Sequence, residues 1–85
     1  MKLSSVVVSS HPGITAAVAA RLVRAVQKTQ SIVLLRCGER MANAGNVFSL
    51  LALCAAMGAT VEVQACGEDE VQAAGAVERI LSEAA

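Results

Sequence analysis

The stretch "SIVLLRCGERMANA", residues 31–44, decides the fold. Its first half, "SIVLLRC" (31–37), is an apolar run of strand length, Gly38-Glu39 supplies a tight turn, and "RMANA" (40–44) returns. Two strands joined by so short a turn are antiparallel, because a parallel pair needs a crossover of a dozen or more residues. Whatever sheet contains this hairpin is antiparallel at that point.

Upstream, "AAVAARLVRAVQK" (16–28) places Ala19, Leu22, Val23 and Val26 on one helical face. Arg21, Arg24 and Lys28 lie away from it, towards the end where the macrodipole favours cations. Thr15 stands where an N-cap belongs, its hydroxyl able to accept from the amide of Ala17 or Val18. Before it, "LSSVVVSS" (3–10) reads as a strand closed by His11-Pro12-Gly13. Downstream, Asn46 caps a second helix over "VFSLLALCAAM" (47–57), which Gly58 ends. "ATVEVQAC" (59–66) alternates, with Val61 and Val63 on one face and Glu62 and Gln64 on the other. "EDE" (68–70) supplies negative charge to the first turn of a last helix whose stripe is Val71, Ala74, Val77 and Leu81.

The order is β-α-β-β-α-β-α, and each helix has one apolar face. The economical packing is an α+β two-layer sandwich, with the helices on one face of a single antiparallel sheet. The other face meets water, which suits Glu62, Gln64 and the serines Ser4, Ser5, Ser9 and Ser10 as solvent-facing positions.

Eighty-five residues make one domain, spanning 1–85. Seven basic residues balance seven acidic ones, so a general nucleic-acid surface is not expected. No apolar run approaches the roughly 20 residues needed for membrane insertion. "MKLSSVVVSSHPG" holds a three-valine run where a secretory signal needs roughly 7 to 15 apolar residues. A cytoplasmic protein is expected. Cys37, Cys54 and Cys66 are odd in number and lack C-x-x-C spacing, so neither a disulfide framework nor a metal site is expected, and no cofactor is called for. They read as small buried apolar residues, with a reactive thiol as the alternative. The glycines at 13, 38, 58 and 67 are turn or cap residues rather than a phosphate-cradling loop. No histidine or acid is placed to activate a serine, so a hydrolase has no support.

Three segments in register resemble HPr, the small phosphocarrier of the phosphoenolpyruvate-dependent sugar phosphotransferase system. They are "PGITAAVAARLV" (12–23), "GNVFSLLALCAAMGATVEV" (45–63) and "GEDEVQAAGAVERIL" (67–81). The resemblance implies an open-faced sandwich: four antiparallel strands covered on one face by three helices. In that family a histidine two residues after the loop glycine takes phosphate from enzyme I and passes it to a sugar-specific enzyme II. Thr15 stands at that position here, and Ala16, Ala17 and Val18 replace the residues that follow, an arginine and a proline among them. A regulatory serine of many Gram-positive members corresponds to Asn46.

A phosphohistidine is a phosphoramidate whose N–P bond leaves readily, whereas threonine forms only a stable ester. The amides of Ala16, Ala17 and Val18 still attract anions, weakly without the arginine. His11, the single histidine, reads as an exposed turn residue, as a displaced phosphoacceptor, or as a hydrogen-bonding partner contact. By resemblance, Val47, Phe48 and Leu51 beside Asn46 form a protein-docking face, with Arg21 and Arg24 as its basic rim. Phe48 could instead plug the core, and the arginines could be solvated helix charges.

The expectation is a non-phosphorylatable, protein-binding regulatory variant, in the manner of the family's catabolite-repression paralogues. The alternatives are an active carrier using His11 or Thr15, and a divergent domain with partners unrelated to sugar transport. The partners implied are enzyme I-like or regulatory proteins. The chain itself would be a monomer, or a dimer exchanging its first strand about the hinge "SSHPG" (9–13).

Overall fold

The computed structural model describes residues 1–9, 13–53 and 55–83. The elements run β1 (Lys2–Val7), α1 (Ala16–Gln27), β2 (Ser31–Cys37), β3 (Arg40–Asn43), α2 (Val47–Ala52), β4 (Thr60–Gly67) and α3 (Glu70–Ser82). The hairpin read from residues 31–44 is present, with Leu35 opposite Ala42 and Cys37 opposite Arg40. The sheet has four strands in the order β1-β4-β2-β3, every neighbour antiparallel. This is the α+β open-faced sandwich expected.

Strand parity sorts the side chains. Val61, Val63 and Ala65 of β4 with Val33 and Leu35 of β2 are fully buried beneath the helices. Against them pack Val18, Ala19, Leu22 and Val26 of α1 and Leu50 of α2. The α3 stripe needs a correction. Ala73, Ala74, Val77 and Leu81 are buried, while Val71 is 65% exposed. At 3.6 residues per turn, the burial of Ala73 in place of Val71 moves the centre of the stripe about 40° further from Val71.

The second helix also ends earlier than expected. It stops at Ala52 rather than running to 57, and Leu53 closes it with its N–H shared between Ser49 O and Leu50 O, each at 3.2 Å. The cause lies elsewhere in the chain. Ala55 O accepts from Ile14 N at 3.0 Å, and Gly13 bridges Ala56, so this backbone is held by the approach to α1 instead of continuing the helix. A Cβ on Gly13 would lie 2.3 Å from Ala55 O, and its φ of 139° is one that only glycine adopts readily. Gly58 therefore does not terminate the helix; it turns the chain into β4, donating to Val8 O at 2.8 Å.

Two serines part company with their expected surroundings. Ser5 is exposed, but Ser4 lies opposite Val63 on the helix-covered face, and its Oγ is buried without a hydrogen-bond partner among the described residues. Alternation fixes this: Val6 and Val8 share its parity and point inward. Ser9 is half-buried with its N–H on Leu81 O, and Ser10 lies outside the described residues. Ser31, by contrast, is buried and donates to Asp69 Oδ1 at 2.6 Å. The same carboxylate accepts from Gln30 N at 3.0 Å, so Asp69, at the N-cap position of α3, ties that helix to the start of β2 rather than capping its own turn. The Ser31 hydroxyl first, then the Gln30 amide, hold the Asp69 carboxyl below its ordinary pKa. Of "EDE", only Glu70 falls within the first turn of α3.

Candidate functional site

Two helix starts and the surface beside them carry the residues singled out from sequence. At α1, Thr15 is extended, and its Oγ1 accepts from Val18 N at 3.4 Å, a long bond for a cap. Thr15 O accepts from Ala19 N at 2.8 Å, the first turn of the helix. The Val18 amide is thus taken, which removes it from the anion-attracting end expected from sequence. Exposed Ala16 and Ala17 remain there, with no acidic side chain in the turn. His11 lies outside the described residues.

At α2 the start is more tightly built. Asn46 Oδ1 accepts from Ser49 N at 3.1 Å, Ser49 Oγ accepts from Asn43 N at 2.9 Å, and Asn43 Oδ1 accepts from Gly45 N at 2.8 Å. Three polar side chains thus satisfy the backbone of the turn between β3 and α2. Fixed on this frame, Leu50 points into the core, Val47 is half-buried, and Phe48 and Leu51 face outward. Phe48 is 82% exposed. That decides between the two sequence readings of this residue: it does not plug the core.

The arginines separate. Arg21 pairs with Glu83 of α3 at 2.6 Å, whereas Arg24 is exposed and has no partner among the described residues. Beside α2 lies a basic residue that the sequence reading passed over. Arg40 Nη1 reaches Ala52 O, at the end of α2, at 3.4 Å. Its register opposite Cys37, on the parity of buried Leu35, is the signal that places Arg40 towards the helices.

The cysteines also differ from the buried apolar reading. Cys37 is half-buried, and Cys66 is exposed on the open face opposite Ile32, the parity it shares with Gln64 and Glu62. Cys54 lies outside the described residues. Among the described residues no three His, Cys, Asp or Glu side chains gather in a metal-binding group, and no helix is long and apolar enough to cross a membrane.

Comparison with known proteins gives a consistent result. Residues 3–83 match the family model described as the PTS HPr component phosphorylation site. Among solved structures, HPr of Thermoanaerobacter tengcongensis superposes with a TM-score of 0.89 at 25% identity, covering 95% of this chain and 91% of that one. The phosphocarrier HPr of Bacillus anthracis gives 0.89 at 20% identity over 94% and 95% of the two chains, a likeness of fold. Crh of Bacillus subtilis, a catabolite-repression protein whose crystal structure is a domain-swapped dimer, gives 0.71 at 29% identity over 85% and 87%. No curated protein matched. With the expected fold present and residues 3–83 matched to the family model, the chain belongs to the HPr family of the phosphotransferase system.

Proposed function

We propose that this chain is a regulatory, protein-binding member of the HPr family that does not relay phosphate. The observation that carries the reading is Thr15: a hydroxyl engaged in capping α1 stands at the position where the family resemblance places the phosphohistidine. An ester formed there would not be handed on, and no arginine stands among the next three residues to steady a phosphoryl group. Asn46 at the start of α2 has no hydroxyl to receive a regulatory phosphate, and its side chain is occupied with Ser49 N.

The docking function rests on α2. Phe48 and Leu51 project from a helix start locked by side-chain hydrogen bonds, with Arg24 on α1 and Arg40 on β3 as basic groups. A rigidly held aromatic in water loses little entropy on association and desolvates a large area, which is why aromatics serve as interface anchors. The partner class is a protein of the phosphotransferase system, enzyme I-like or regulatory.

The test is incubation with phosphoenolpyruvate and a cognate enzyme I, followed by intact mass before and after brief acid treatment. No mass gain is expected. An acid-labile gain of one phosphoryl group would replace this reading with an active carrier, His11 being the acceptor to examine.

A further inference from the structure

The face of the sheet away from the helices is apolar beyond what a solvated face requires. Ile32 is 64% exposed and Leu3 63%, and exposed Val7, Met41 and Cys66 share the same side. Among them, on the two central strands, Arg36 of β2 sits in register opposite Glu62 of β4. The two charges are not spent on each other. No ion pair joins them, Arg36 Nε donates instead to Gly38 O at 2.9 Å, and Glu62 makes no hydrogen bond among the described residues.

We propose that the open sheet face binds the same face of a second copy of this chain, about a two-fold axis parallel to the strands and midway between β2 and β4. Such an axis places β2 of one copy over β4 of the other, row by row. Arg36 then lies over Glu62 of the second copy, and the reverse pair forms by symmetry. Ile32 covers Cys66 of the second copy, while Leu34 lies over its Gln64. A face holding one cation and one anion side by side across its centre is complementary to itself under this rotation, the condition for a closed two-fold interface. An anionic or cationic partner would leave one of the two charges opposed.

Size sets the strength. The strands, of 6, 7, 4 and 8 residues, lie about 4.8 Å apart and present about 400 Å² per copy in projection. That lies at the low end of specific interfaces, so the dimer is weak and dilution dissociates it. The α1 and α2 surface stays open in the dimer, on the opposite side of the molecule, so this association is independent of the function proposed above.

The test is sedimentation equilibrium of the whole chain from about 10 µM to about 1 mM at low salt, a range that brackets weak association. It compares the wild type with Arg36→Glu, Glu62→Arg and the doubly exchanged variant. Each charge occurs twice in the interface, so either single substitution weakens dimerisation at least about ten-fold, while the double exchange restores it to within about three-fold. All four proteins are expected to keep the same circular dichroism. Each single exchange sets like charges opposite each other across β2 and β4 and lowers the unfolding midpoint slightly, and the double exchange restores it. A protein that stays monomeric at the top concentration overturns the proposal. So does a dimer that ignores the single substitutions, as one formed by strand exchange or through Phe48 would, and so does a double exchange that fails to recover.

Discussion

The starts of α1 and α2 are built from the same device and put to different ends. Both are capped by a side-chain oxygen accepting from the third residue along, Thr15 from Val18 at 3.4 Å and Asn46 from Ser49 at 3.1 Å. Around Asn46 the turn is reinforced by Asn43 and Ser49, and the helix it starts holds the chain's one aromatic in water. Around Thr15 there is a longer bond, two exposed alanines and no charge in the first turn. In a phosphocarrier the first of these is the reactive end. Here the firmer start is the one the proposed function uses for docking, and Thr15, at the start of α1, has a hydroxyl in place of an imidazole.

What joins the two regions is Gly13, and the largest effect is expected there. Gly13→Ala drives a Cβ into Ala55 O at 2.3 Å from a backbone with φ of 139°. A loss of about 3 kcal/mol is expected in urea unfolding, from clash and backbone strain together. Loss under about 0.5 kcal/mol would mean the contact between the α1 approach and the end of α2 is looser than described.

Next comes the docking side. Phe48→Ala should weaken binding to a phosphotransferase-system protein by about 2 kcal/mol in calorimetric titration, as anchors of interfaces do. Stability should change by less than about 0.5 kcal/mol, because the ring is already in solvent. Ser4 offers an effect of opposite sign within the fold. Ser4→Ala removes a buried hydroxyl that has no hydrogen-bond partner among the described residues and should stabilise the protein by about 1 kcal/mol. The caps themselves give the finer comparison: Asn46→Ala costs about 1 kcal/mol and Thr15→Ala about half that, following bond length and surroundings.

The last effect appears as a slope in acid. Asp69 titrates below its ordinary value because Ser31 Oγ and Gln30 N stabilise the charged carboxylate. A lowered folded-state pKa contributes stability above the unfolded value, about 3.9, that is lost as pH falls through the folded one. Unfolding free energy should therefore decline as the solution is acidified below about pH 4, with a shallower slope in Asp69→Asn.

The hairpin at 31–44, the strand alternation of β4 and the capped start of α1 were legible because each depends on neighbours within a few residues. The length of α2 was not. Residues 53–57 read as helix by composition, yet Ala55 and Ala56 are held by Ile14 and Gly13, some forty residues earlier in the chain. Ser4 and Ser31 show the same limit. Both are serines near strand starts, and only the fold reveals that one meets Asp69 and the other has no hydrogen-bond partner among the described residues. At the site, Thr15 and Asn46 lay in plain view as caps. The exposure of Phe48 depended on which face of a six-residue helix Leu50 would claim, and Arg40 emerged only from strand register.

The most direct test of the central claim is a two-step relay. Phosphoenolpyruvate labelled with ³²P and a catalytic amount of enzyme I would charge the chain, and an enzyme II acceptor would be added as a chase. The account predicts no label on this chain and no label reaching the acceptor through it. Label that is acid-labile on the chain and moves to the acceptor would contradict it.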